Sequence, residues 1–180
     1  MLRYLFMAAV VAAGITSAVG AEKEHRHHGV HQHGLGKLNL VWEGKTVHIE
    51  LENPADNIVG FEHAPRTEKQ KKAVQNAVAI LKDAGTVFGF TPEARCHGRA
   101  TEVERGISTA EDGAKNKPEA HSEFHAQYRF TCENPEALKI VDVHIFKLFP
   151  KTRRLQTQVV SPTGQTSVDL RRGLTRITLR

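Results

Sequence analysis

Alternation of apolar and polar side chains is the feature that most limits what this chain folds into. Leu38, Leu40 and Trp42 alternate with Lys37, Asn39 and Val41; after a turn at Glu43-Gly44-Lys45, Val47, Ile49 and Leu51 alternate with His48, Glu50 and Glu52. A period of two marks strands with one face on a core, so 37–52 reads as a hairpin. Ala94–Arg105, Glu123–Cys132, Leu138–Phe149, Leu155–Val160, Gln165–Leu170 and Leu174–Leu179 add further β-rich stretches, with turns at Asn134-Pro135 and Ser161-Pro162-Thr163-Gly164. Helical periodicity is clear once. Thr67 and Gln70 form a capping-box pattern, Val74, Ala77, Val78 and Leu81 share one face, Gly85 ends the segment, and Lys69, Lys71, Lys72 and Lys82 take the solvated side. Asn53–Pro65, rich in proline, asparagine and glycine, reads as a structured loop. One helix among eight strand candidates, with no strand–helix alternation, predicts an α+β fold: a predominantly antiparallel β-sheet with one main amphipathic helix.

The ends of the chain read differently from its middle. Residues 1–21 begin with Arg3, continue through the apolar run Leu5–Ala13 and finish on Ser17, Ala18, Gly20 and Ala21, the layout of a secretory signal peptide. That run is too short for a stable membrane span, so none is expected after processing. Residues 22–36 are polar and His-rich and read as a flexible arm; residues 37–180 form a single domain. Export to an oxidising compartment suits the two cysteines, Cys96 and Cys132, which are expected to pair and to stabilise the fold by roughly 3–4 kcal/mol. A zinc thiolate pair is the competing reading, and it lacks the Cys-x-x-Cys spacing. The net charge of +5 and pI near 9.4 come from dispersed basic residues without a nucleic-acid motif, so no nucleic-acid partner is expected.

Eleven histidines are more than packing calls for. His25, His27, His28, His31 and His33 fall within nine positions, and neutral imidazole is a good ligand for zinc, copper and nickel. His31 and His33 directly precede the first strand; in an extended segment, positions two apart point the same way. In the stretch from His121 to Phe130, Phe124, Ala126, Tyr128 and Phe130 form the core parity, leaving His121, Glu123 and His125 together on the opposite face. Two imidazoles from each strand would make the tetrahedral shell that zinc prefers, with Glu123 as a further ligand or as a partner that orients a ring. His63 completes the shell or hydrogen-bonds its loop. His48 reads as a surface histidine, and His97 and His144 as packing or hydrogen-bonding residues.

Taken together, His31-Gln32-His33-Gly34 leading into a hairpin, the segment from Asn53 to His63, the His121–Cys132 strand and the closing strands from Gly164-Gln165 resemble the ZrgA family of periplasmic zinc uptake proteins. The likeness spans nearly the whole mature chain, and Gly60-Phe61-Glu62-His63 is its most specific piece. It implies a secreted protein that binds zinc and supports its uptake, with the zinc ion as ligand and a zinc ABC importer or its binding protein as partner. Members often carry a long His/Asp-rich stretch between two central strands; Gly106–Ala120 here has no histidine, and the arm is expected to take over the low-affinity collecting role.

Two other functions use the same donors. A zinc-dependent hydrolase would hold the metal by three ligands and activate water with Glu62 or Glu123 as base. No His-Glu-x-x-His helix is present and the one clear helix contains no histidine, so a non-enzymatic role is expected. A copper- or nickel-binding protein is the other alternative, since imidazole suits all three ions.

Overall fold

The computed structural model describes residues 33–108 and 121–179, without the side chains of 107, 108 and 121. The expected signal peptide, His31 and most of the expected arm lie outside the described residues. The hairpin forms as expected from β1 (Leu35–Glu43) and β2 (Thr46–Pro54), with Gly44 supplying the positive φ of its turn. β1 starts at Leu35, two residues before the alternation begins. The segment 53–65 is not all loop: α1 (Ala55–Val59) follows Pro54 directly. The capping box closes α2 (Glu68–Lys82), with Ala77 and Leu81 buried and the four lysines exposed. α2 stops before Gly85, because the Asp83 side chain caps a second short helix, α3 (Ala84–Val87).

The chain continues through β3 (Phe88–Phe90), β4 (Cys96–Ser108), β5 (His121–Cys132) and β6 (Ile140–Val143). It closes with α4 (Ile145–Leu148), β7 (Arg154–Ser161), β8 (Gly164–Arg171) and β9 (Arg176–Thr178). Leu138–Phe149, read above as one β-rich stretch, is therefore a short strand followed by a helical turn that buries Ile145 and Phe146. One sheet has the order β4-β5-β2-β1-β7-β8 and a smaller one β3-β6-β9. Among the described residues every pair is antiparallel except β1 with β7, so the α+β class holds with one parallel pair in a mixed sheet.

The inner face of the large sheet carries the core. Leu38, Leu40, Val47, Ile49, Leu51, Phe124, Ala126, Tyr128 and Phe130 are buried, and Phe88 and Phe90 of the small sheet pack on Tyr128 and Phe130 at centroid distances of 4.5–6.0 Å. The opposite parity makes an outer face that is polar along β1, β2 and β5. Among the described residues no helix is long and apolar enough to cross a membrane.

One end of the large sheet is tied by a buried polar relay. The Gly34 N–H donates to Asn57 Oδ1 (2.7 Å), Asn57 Nδ2 to Asn53 Oδ1 (2.7 Å) and Asn53 Nδ2 to Thr152 Oγ1 (2.9 Å). All three side chains are at most 2 % exposed. Asn57→Ala would leave a buried donor and a buried acceptor unpaired, each costing about 1–3 kcal/mol. We expect a loss of roughly 3 kcal/mol in chemical denaturation, with the slope unchanged.

Candidate metal centre

The outer face over β2, β5 and β4 concentrates carboxylates around one imidazole. Antiparallel pairing sets Glu52 opposite His125 and Glu50 opposite Gln127. On the other side of β5, Glu104 faces His125 and Glu102 faces Gln127. Directly opposed residues project to the same face, so all four glutamates join His125 and Glu123 there. A bulge makes this possible: the register slips between Ala100 and Glu102, leaving Thr101 as the extra residue. Without it, Glu102 and Glu104 would fall on the core parity and Val103 on the solvent parity.

Among the described residues, one group of three side chains brings metal-ligand atoms within 4.8 Å of one another: Glu50, Glu52 and His125, all half-buried. Glu123 Oε1 lies 2.9 Å from His125 Nε2. With the ring proton on Nε2 donated to Glu123, the Nδ1 lone pair is the one a cation would take. The hydrogen bond to Glu123 does most to hold the His125 imidazole above its ordinary range; partial burial opposes it, and the charges of Glu123, Glu52 and Glu50 add to it. Neighbouring polar groups restrain the carboxylates: Lys37 Nζ lies 3.2 Å from Glu52 Oε2, and Asn39 Nδ2 donates to Glu50 Oε2 at 3.3 Å.

The donor set fits zinc. An imidazole with two carboxylates gives three protein ligands on rigid strands and leaves a position open, which suits an ion that must arrive and leave.

Of the other histidines singled out in the sequence, His33 and His63 are engaged elsewhere. His33 Nδ1 is 3.5 Å from Asp56 Oδ2, at the end of the sheet, and the other oxygen of Asp56 is 3.0 Å from Lys151 Nζ. β2 lies between β1 and β5, so the strand lines leading from His33 and His125 are about two inter-strand spacings apart, roughly 10 Å. His121 opens β5 opposite Ser108. His63 belongs to a loop fastened from the core parity. Arg105 Nη2 donates to the carbonyls of Glu62 (3.1 Å) and His63 (2.9 Å) and to Ser122 Oγ (2.8 Å). The His63 ring stacks on Phe61 and its Nδ1 bonds the Ala64 carbonyl. His48 is exposed, as read from the sequence, and His144 Nδ1 pairs with the Thr86 carbonyl at 2.9 Å.

Glu50 and Glu52 are the candidate ligands that sequence reasoning passed over. Their place on the polar parity of β2 was visible, but nothing local said that β5 would be the neighbouring strand.

Residues 30–179 match the family described as ZrgA family zinc uptake protein. No curated protein matches the chain.

Proposed function

Since the chain belongs to the ZrgA family of zinc uptake proteins, we propose that it captures zinc in the periplasm, at the outer-face centre of Glu50, Glu52 and His125, and supplies it to a zinc ABC importer or its binding protein. The observation that carries this reading is the convergence of those three donors within 4.8 Å. Glu123 orients the His125 ring. His31, His33, His63 and His121, together with the His-rich arm, collect the ion weakly outside this centre and add little to its affinity. The disulfide between Cys96 and Cys132 supports an oxidising compartment. The centre is read as binding and not catalytic because Glu123, the nearest candidate base, is engaged with the ligand histidine. Two carboxylates favour zinc over Cu(I), whose preferred ligands are thiolates and thioethers.

The test is a competition titration with a chromogenic zinc chelator at pH 7.5 and 5.5. Zinc takes the neutral ring, and the pKa of His125 is raised, so acidification through that value puts a proton where the metal must bind. Affinity is expected to fall by at least about tenfold, with protons released on binding at intermediate pH. Equal affinities at the two values would rule out imidazole ligation. The metal-free protein has the opposite dependence. A raised folded-state pKa means that protonated His125 stabilises the fold; this contribution is complete below about 6.5 and is lost as pH rises through the folded value. The rise in melting midpoint on adding zinc therefore grows with pH.

A further inference from the structure

We propose that the cationic cavity at the start of β7 and the end of β8 is a docking site for an acidic, Asp/Glu-rich segment of a partner protein. The cavity, about 660 Å³, is lined by Lys151, Arg153, Arg171 and Arg172, with His33 and Asp56 on one wall. Four cations thus face one carboxylate, and that carboxylate already pairs with Lys151 at 3.0 Å. Among the described residues neither Arg153 nor Arg171 has a carboxylate within ion-pair distance. Arg171 stands directly across the ladder from Arg154, a like-charged arrangement that destabilises a sheet unless an anion relieves it. Arg154 has its own partner in Asp169 at 3.1 Å, which leaves Arg171 to the cavity.

The walls are built and held in place. Backbone N–H groups of Arg153 and Arg154 both donate to the Gly34 carbonyl, at 2.8 and 2.9 Å. Gly34 has φ +87°, and a Cβ there would come within 3.0 Å of Arg153 Cδ, so the Arg153 stem lies along this glycine. Arg172 Nη2 donates to the Pro150 carbonyl, joining the two loops that form the sides. Beneath them runs the buried Asn57–Asn53–Thr152 relay. Arg153 and Arg172, restrained in this way, lose less freedom when an anion binds.

The chemistry of the lining selects the occupant. Three planar guanidinium groups match carboxylates in bidentate geometry. The lining has no Phe, Tyr or Trp on which a nucleic-acid base would stack and no large apolar group to enter a lipid surface. The volume exceeds that of a single small anion and leaves room for several carboxylates carried on one extended segment. The carboxylate-rich face over β5 and this cationic end are separate regions of the fold, and the proposal does not depend on the metal centre.

Fluorescence anisotropy of a labelled octaglutamate peptide, with EDTA present to exclude metal, tests it on the purified protein. Saturable binding that weakens with salt is expected. Arg153→Ala/Arg171→Ala should lower affinity by about tenfold or more. Lys69→Ala/Lys72→Ala removes the same charge from the solvated side of α2 and should stay within about twofold. Equal losses in the two double variants would overturn the proposal in favour of diffuse attraction. So would binding of inorganic phosphate without binding of the peptide, or equal affinity for an eight-nucleotide single-stranded DNA. Unchanged melting midpoints show that both variants are folded; should the arginine variant unfold, Arg153→Gln/Arg171→Gln replaces it.

Discussion

Replacing His125 by alanine is expected to weaken zinc binding by more than about 100-fold, since the loss of groups that merely orient a ligand already costs 10–100-fold. The metal-free fold should barely respond. The His125 side chain is 35 % exposed on the polar face, and its removal forfeits one hydrogen bond, about 0.5–1.5 kcal/mol, or a few degrees in melting midpoint. Glu50→Gln and Glu52→Gln retain shape and remove charge, so each should weaken binding by tens-fold, and Glu123→Gln by about tenfold because it acts through the ring. Lys37→Met should tighten binding a few-fold, because it frees Glu52 from a competing cation 3.2 Å away. His33→Ala and His63→Ala should each change affinity by less than about threefold: one lies beside Asp56 and Lys151, the other on a loop pinned by Arg105. Isothermal titration calorimetry on the series decides the matter. A larger loss from His33→Ala than from His125→Ala would move the centre to the end of the sheet.

What could be read in advance follows the range of each signal. The β1–β2 hairpin and α2 were legible because alternation, a two-residue turn and a capping box all act within a few positions. The same locality made Glu123 and His125 recognisable as same-face neighbours, since they lie two apart on one strand. α1 and α4 were hidden for opposite reasons. Pro54, the asparagines and Gly60 are loop formers in isolation, and here Asn53 and Asn57 are consumed by the buried relay with Thr152. Ile145–Leu148 is apolar without a period, so a helical turn and a buried strand look alike in sequence. The completed centre was the least legible part. Glu50 and Glu52 meet His125 only through a pairing between residues more than 70 positions apart, and Glu102 and Glu104 reach that face only because the ladder slips at Thr101. No periodicity in either segment encodes those two events.

Breaking the disulfide should cost the protein more stability than any other change considered, yet leave zinc binding alone. Cys96 and Cys132 are paired across 36 positions, and freeing a loop of that size gives the unfolded chain roughly 4 kcal/mol of conformational entropy. For a chain of this length, Cys96→Ala/Cys132→Ala should lower the melting midpoint by about 10 °C. The bond closes the far end of the β4–β5 ladder, where the Cys132 N–H also donates to the Lys45 carbonyl at the β1–β2 turn. His125 is seven residues further along β5, roughly 23 Å away at the rise of an extended strand. Perturbations at that distance with no shared partners act independently of the site. At a temperature where the variant remains folded, its zinc affinity should therefore match the parent within about twofold. The measurement is a pair of melting curves, with and without zinc, for parent and variant: the midpoints should drop together and the increment due to zinc should persist. A midpoint lowered by less than 3 °C would mean that the unfolded chain is already compact between the two cysteines. A vanished zinc increment in a folded variant would mean that the metal centre extends to the end of the sheet where the cysteines lie.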